Sequence, residues 1–213
     1  MMRLRCLCLA ALWLGMVSGC MNEVSKARVS ADQRPRIRLE TEMGNMDVEL
    51  YASEAPVTVR NFLRYVDGGL FTEGRFFRTV KPDNQPDNKV KIEVIQAEAN
   101  PARQAEFFPP IPMERTRDTG LRHLDGTLSM ARDKPDTAQD SFSICIGDQP
   151  ELDFGGKRNP DGQGFAAFGR VIQGMDVARK IQASPAQGQR LTPAIRILRA
   201  TRVPSRPVVP DTR

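Results

Sequence analysis

Short stretches of alternating apolar and polar residues, each about as long as one β-strand, recur through most of this 213-residue chain. The first runs over Ile37–Thr41, and a second over Met46–Leu50 follows a turn at Met43-Gly44-Asn45. Alternation with a period of two is typical of a strand with one buried face, and two such runs around a short turn predict a hairpin. Further strands are predicted near residues 76–80, 91–96, 126–131, 142–146, 165–171 and 195–203.

Two other segments repeat their apolar residues at helical spacing. In the first, apolar side chains between Val59 and Val66 recur three or four positions apart, after Pro56 and before Gly68-Gly69. Proline favours the first turn of a helix and glycine favours its end, so these residues predict where the helix starts and stops. The second helix is predicted near Met175–Gln182. The pattern alone therefore predicts a mostly β domain with about eight strands and two helices.

Several short motifs occur within these elements in a fixed order: Phe76-Phe77-Arg78, Val94-Ile95-Gln96, Gly126–Ala131, Ser141–Ile144, Phe168–Val171 and Gly174–Val177. Taken together, over residues 36–203, they resemble the cyclophilins, a family of peptidyl-prolyl cis/trans isomerases. The resemblance implies a closed eight-stranded antiparallel β-barrel capped by two helices, an arrangement that leaves no sheet edge exposed. It also implies an isomerase that needs no cofactor, acting on proline-containing peptides or unfolded proteins.

Rotation about a prolyl bond needs no nucleophile or metal, because its barrier of about 18–20 kcal/mol comes from amide conjugation. A pocket that grips the proline ring and a donor that favours the twisted amide are sufficient. By the resemblance, Arg78 is the principal catalytic group and Gln96 binds the substrate backbone beside the proline. Regular strand alternation predicts that Phe76 and Arg78 point to the same face.

The resemblance also implies a set of residues that contact the substrate: Phe76, Val94, Ala131, Phe142, Ser143, Leu152 and Phe165. Three positions depart from the family pattern. Ser143 stands where an aromatic floor of the proline pocket is usual, Glu151 where cyclosporin-sensitive members have tryptophan, and Ala97-Glu98 where two glycines usually follow the glutamine. Phe165, which follows an inserted loop from Gly155 to Gly164, would restore part of the apolar surface lost at Ser143.

Those departures leave a second reading open. A non-catalytic module could keep the barrel and use the same groove to hold proline-containing segments in the cell envelope. A monomer is the default expectation for either reading.

The first nineteen residues are typical of an export signal. Arg3 and Arg5 precede an apolar run from Leu7 to Val17, which is shorter than the roughly 20 residues that span a bilayer. The segment ending at Cys20 resembles the lipobox of bacterial lipoproteins, so we expect lipidation at Cys20 and membrane attachment through the lipid anchor. With Met21 after the cysteine, the expected location in a two-membrane cell is the outer membrane, facing the periplasm.

The predicted organisation is thus a signal peptide over 1–19, the lipidated cysteine with a flexible tether over 20–35, a cyclophilin-like domain over 36–203 and a disordered tail over 204–213. Loss of Cys6 and Cys8 with the signal would leave Cys145 without a disulfide partner, and its apolar surroundings predict a buried side chain.

Other functions are disfavoured by composition. The formal charge is only +5, and basic residues are interspersed with acidic ones, so no nucleic-acid partner is predicted. His123 is the only histidine, which argues against a clustered metal site, and no metal is predicted. A histidine-based catalytic triad would require a serine and an acid to be assembled around His123.

Overall fold

The fold is that of a computed structural model, in which the described residues are 34–204. The predicted signal peptide, Cys20, nearly all of the tether and the tail from residue 205 lie outside the described residues. Within residues 34–204, no helix is long and apolar enough to cross a membrane.

Nine antiparallel strands and three α-helices form the domain. The strands are β1 (Arg36–Thr41), β2 (Gly44–Leu50), β3 (Gly74–Val80), β4 (Val94–Glu98), β5 (Thr127–Met130), β6 (Phe142–Cys145), β7 (Ala167–Gln173), β8 (Ala186–Gln187) and β9 (Arg190–Val203). The α-helices are α1 (Pro56–Asp67), α2 (Thr116–Thr119) and α3 (Met175–Gln182). Short 3₁₀ turns cover Pro82–Asn84, Pro101–Glu106 and Pro150–Leu152.

Eight of the strands form a closed ring. Their order is β1-β2-β7-β5-β6-β4-β3-β9, and β9 pairs back onto β1. The two-residue β8 pairs only with β9 and lies outside the ring. The expected eight-stranded antiparallel barrel is therefore confirmed, with α1 and α3 as the two longer helices.

The two longer helices form where the spacing predicts them. Pro56 occupies the start of α1, and the buried face of that helix carries Val59, Phe62, Tyr65 and Val66. The helix has no side-chain cap of its own. Instead the carboxylate of Glu114 accepts hydrogen bonds from the first backbone N–H groups, those of Val57 at 3.0 Å and Thr58 at 2.8 Å, which satisfies donors that a helix start leaves unpaired.

Phenylalanine side chains fill the interior. Phe62 of α1 contacts Phe71, Phe142 and Phe168, with ring centroids 5.1–5.3 Å apart. Each of these four rings is at most 1% exposed. The inside of the barrel is thus a packed core with no room for a peptide, so any binding site must lie on the outer surface.

A β-bulge in β3 changes the predicted direction of one key side chain. Phe76 pairs with Ala97 of β4 and Arg78 with Gln96, so Phe77 is an extra residue without a partner on β4. The bulge breaks the alternation, because one additional residue moves every later side chain to the opposite face. Phe76 therefore packs in the core, and the expectation that Phe76 and Arg78 share a face is wrong.

We predict that Phe142→Ala lowers the free energy of unfolding by about 3–5 kcal/mol, because it leaves a cavity among closely packed rings. Urea denaturation followed by circular dichroism measures the change. The control is Leu124→Ala, whose side chain is 53% exposed and which should shift stability by no more than about 0.5 kcal/mol. A loss below about 1 kcal/mol for Phe142→Ala would contradict the close packing of the phenylalanine rings in the core.

Candidate functional site

A continuous row of polar side chains crosses the outer face of four neighbouring strands. Arg78 of β3 pairs with Gln96 of β4, Gln96 pairs with Ser143 of β6, and Ser143 pairs with Ser129 of β5. Residues directly opposite each other in a sheet point to the same face, so the four side chains lie side by side. Their sequence neighbours Ile95, Phe142, Ile144 and Leu128 point inward and are fully buried.

The guanidinium of Arg78 is held by two glutamines. Nη1 donates to Gln96 Oε1 at 2.9 Å, while Nε and Nη2 donate to Gln189 Oε1 at 2.9 and 2.6 Å. Both glutamines are themselves fixed: Gln96 Nε2 donates to Ser141 Oγ at 3.1 Å, and Gln189 Nε2 donates to the carbonyl of Asn84 at 3.0 Å. These amides orient the guanidinium without neutralising its charge.

Burial lowers the pKa of Arg78, because a partly desolvated site disfavours the charged form. An arginine nevertheless stays protonated in a protein. Within residues 34–204, no carboxylate forms an ion pair with Arg78. The result is a fixed positive charge in a poorly solvated environment, where its field is stronger than in water.

A cavity of about 630 Å³ opens over this row. At one side it meets a small apolar cluster formed by Val80, Ile92, Val94, Cys145 and Leu152, against which Phe165 packs. This cluster is separate from the main core. Apolar walls beside a charged donor form a recess suited to a small ring next to a polar backbone.

The loop between Leu152 and Phe165 closes one wall of the cavity. Arg132 donates to the carbonyl of Gly164, forms an ion pair with Asp161 at 2.8 Å, and lies over the ring of Phe165 with its Cζ atom 5.1 Å from the centroid. The backbone N–H of Phe165 donates to the carbonyl of Leu152 at 2.9 Å. These contacts hold the two apolar side chains of the recess together.

The structure brings seven of the nine candidate site residues together. Arg78, Val94, Gln96, Ala131, Ser143, Leu152 and Phe165 all line the cavity. Phe76 and Phe142 do not: both are 0% exposed and belong to the main core. They support the site from behind, and their rings are not accessible to a substrate. Cys20 lies outside the described residues.

Sequence reasoning missed several residues of this site. Gln189 is 111 positions from Arg78, and nothing in the sequence around it indicates a residue of the site. Ser141 and Ile92 were likewise not singled out, although both line the cavity. Arg158 also lines it, and the only signal in the sequence was a cation within the inserted glycine-rich loop. Glu151 does not line the cavity; its carboxylate accepts a hydrogen bond from the backbone of Lys157 at 2.7 Å.

The comparison with known protein families agrees with this fold. The family model described as cyclophilin type peptidyl-prolyl cis-trans isomerase matches residues 36–202. The chain belongs to the cyclophilin family. The matched range takes in the closed barrel except for the last residue of β9, and every candidate site residue except Cys20.

Individual proteins show the same relationship. The chain is similar to peptidyl-prolyl cis-trans isomerase A of Dickeya dadantii, with 33% identity over 181 residues, or 84% of each chain. It is also 33% identical over 150 residues to a peptidyl-prolyl cis-trans isomerase of Acinetobacter baylyi, covering 70% of this chain and 72% of that one. A solved cyclophilin of Cryptosporidium parvum, determined in the presence of the dipeptide Ala-Pro, shares the fold with a TM-score of 0.62 at 20% identity, covering 79% of this chain and 99% of that one.

Behind the cyclophilin site, His123 forms hydrogen bonds with a serine and an aspartate. Its Nδ1 atom lies 2.7 Å from Asp153 Oδ1, and its Nε2 atom lies 2.8 Å from Ser129 Oγ. The order matches that of a hydrolase triad, but His123 is 1% exposed and Ser129 3% exposed. We assign the group a structural role, because Asp153 directly follows the recess residue Leu152 and Ser129 belongs to the polar row. The hydrogen bonds thus tie the apolar wall to the strand beneath it.

We predict that His123→Ala lowers the free energy of unfolding by about 2–4 kcal/mol, since it removes the ring hydrogen bonds to Ser129 and Asp153 and creates a cavity, although the backbone N–H of residue 123 still donates to Asp153. Ser129→Ala, which removes only one end of the network, should cost about 1 kcal/mol. Chemical denaturation of the two variants in parallel measures both values. Equal losses in the two variants would contradict a linking role for His123.

Proposed function

We propose that this cyclophilin catalyses cis/trans isomerisation of prolyl bonds in exported proteins, while anchored to the membrane through a lipidated Cys20. The observation that carries the catalytic part is the guanidinium of Arg78, held by two neutral amides at the edge of an apolar recess. The proline ring would occupy the recess beside Val94, Leu152 and Phe165, with the prolyl amide next to Arg78.

Some N–H donors of Arg78 are not used in hydrogen bonds within residues 34–204. A guanidinium has five N–H groups, and three are used on Gln96 and Gln189. One N–H on Nη1 and one on Nη2 therefore have no partner among residues 34–204. Gln96 also retains one amide hydrogen, because its Nε2 donates only to Ser141 within the same residues.

These free donors suit the chemistry of rotation. When the prolyl amide twists, its nitrogen loses conjugation and its lone pair becomes a better acceptor. A donor that is already oriented and desolvated favours the twisted form over the planar one, which is the differential binding that catalysis requires. Lowering the barrier by roughly 5–6 kcal/mol would accelerate the exchange by about four decades. The mechanism involves no covalent step and no metal.

Arg78→Ala tests this assignment in full-length protein purified in detergent. We predict that the variant loses at least about 99% of the acceleration of cis/trans exchange in a short proline peptide, because the only charged donor aimed at the amide is gone. NMR exchange spectroscopy measures the rate. Gln189→Ala should lose less, roughly tenfold, because it releases the guanidinium without removing it.

The control is Arg170→Ala, an exposed arginine on β7, which should retain the parent rate. An Arg78→Ala variant that keeps the fold and the full rate would overturn the catalytic assignment.

A second function is favoured by one observation. Ser143 places a hydroxyl at the centre of the polar row, where a ring would give a bound proline about 1–2 kcal/mol more apolar contact. A site of this kind could hold proline-containing segments without accelerating their rotation. In the same NMR experiment, peptide binding with no acceleration by the parent protein would support this holding function instead.

The proposed anchor rests on the amino-terminal sequence. An apolar run followed by a small-residue segment ending in Cys20 is the pattern of a lipoprotein signal. Acylation would hold the mature protein at a membrane surface by burying methylene groups, and with Met21 after the cysteine the outer membrane is the proposed location in a two-membrane cell.

Cys20→Ser tests the anchor. We predict that cells fed an alkyne-labelled fatty acid incorporate the label into the parent protein and lose more than about 90% of it in the variant, because the thiol at the proposed lipidation position is gone. Cys145→Ala is the matched control, since the Cys145 side chain is fully buried and its loss should leave labelling unchanged. Equal labelling of the Cys20→Ser variant and the parent would contradict the proposal. So would retention of the parent protein at the membrane through an uncleaved signal peptide.

A further inference from the structure

The cavity contains a second cation with no acidic partner. Arg158, from the loop between Leu152 and Phe165, lines the same cavity as Arg78. Its Nη1 atom donates to Gln85 Oε1 at 2.7 Å and to the carbonyl of Val90 at 2.8 Å. Both acceptors are neutral. Across residues 34–204, no carboxylate forms an ion pair with Arg158.

Arg158 is held in a fixed position, and one edge of its guanidinium is available to bind a ligand. Gln85 is 1% exposed, and its amide also donates to the carbonyls of Lys81 and Ile92, each at 2.7 Å. The acceptor that holds Arg158 is therefore anchored at the apolar recess. Because both hydrogen bonds use Nη1, the Nε and Nη2 donors have no partner within the described part of the chain.

None of the other charged side chains that line the cavity forms an ion pair with Arg158. Arg132 is already paired with Asp161. The lining carboxylates, Asp133 and Asp140, come from the segment between β5 and β6. Asp140 accepts a hydrogen bond from the backbone of Ala99, just past the end of β4, whereas Arg158 contacts Val90, before that strand begins. The length of β4 alone separates these ends by roughly 16 Å.

The recess end of the cavity therefore carries two uncompensated guanidinium groups beside a polar floor at Ser143. Burial and the positive charge of Arg78 both lower the pKa of Arg158, which is the effect expected of two cations that share a partly desolvated space. A bound anion would relieve this repulsion and satisfy the free edge of Arg158.

We propose that this site selects prolines that have a carboxylate side chain, aspartate or glutamate, at an adjacent position, and that Arg158 is the residue that reads the charge. The proposal rests on the proposed function, since it names the substrate class of the same site. Arg158 contacts the side chain beside the proline, while Arg78 remains the donor to the prolyl amide. Arg158 is thus a specificity residue and contributes little to the rotation of peptides that lack an acid.

The test compares peptides that differ only in the residue before or after proline, which is glutamate, glutamine or lysine. Cis/trans exchange catalysed by the full-length protein in detergent is measured by NMR at low salt and at 0.5 M salt. We expect kcat/KM for glutamate to exceed that for glutamine by roughly tenfold at one of the two positions, with lysine lower still. The difference should lie mainly in KM and shrink several-fold at high salt.

Three variants assign the effect to Arg158. Arg158→Gln should bring the glutamate-to-glutamine ratio close to one, because the neutral amide no longer attracts the carboxylate. Arg158→Lys should keep a preference of several-fold, because the charge is retained. Arg170→Gln removes an equal charge from the exposed face of β7 and should leave the ratio unchanged. Thermal melting of each variant checks that the fold is intact.

A ratio within twofold at both positions in the parent protein, or a ratio that survives Arg158→Gln, overturns the proposal. Failure of the proposed function has a different signature, since no peptide would then be accelerated. In that case the dissociation constants of the same peptides decide the matter: tighter binding of the glutamate peptide that is lost in Arg158→Gln supports the proposal, and equal affinities overturn it.

Discussion

The pairing of β1 with β9 closes the barrel, and this closure governs the rest of the structure. A closed sheet has only an inner and an outer face. Here the inner face is occupied by phenylalanine rings in van der Waals contact. The polar row and the apolar recess consequently lie on the outer face, with the packed core behind them.

The bulge at Phe77 allows β3 to contribute one side chain to the core and another to the proposed catalytic site. Without the bulge, regular alternation would point Arg78 into the barrel on the same face as Phe76, and burying a guanidinium among aromatic rings would be prohibitively costly. With it, Phe76 contributes to the core and Arg78 reaches the outer surface beside Gln96. Bulges next to active sites commonly redirect one side chain in this way, and here the redirected residue is the proposed catalytic group.

Neutral amides around Arg78 make physical sense for an isomerase. An adjacent carboxylate would hold the guanidinium equally well, but it would also compensate the charge that has to act on the substrate. Glutamine oxygens orient the group through hydrogen bonds and leave its charge uncompensated. Arg158 is held according to the same principle, by an amide and a backbone carbonyl. The recess is therefore electropositive as well as apolar, which distinguishes it from a purely hydrophobic proline pocket.

The amino-acid sequence alone was enough to place eight of the nine strands, the two longer helices and seven of the residues that line the cavity. Alternation and helical spacing are local properties, so β2, α1 and α3 could be placed from a few neighbouring residues. The family motifs supplied the closed topology and pointed to Arg78 and Gln96. The folded barrel was needed to show which way Phe76 and Arg78 face, because the bulge depends on the register with β4 and β9. It also decided that Gln189 and Arg158 join the site, since residues 111 and 80 positions from Arg78 meet it only when the barrel closes and the loop folds over the recess.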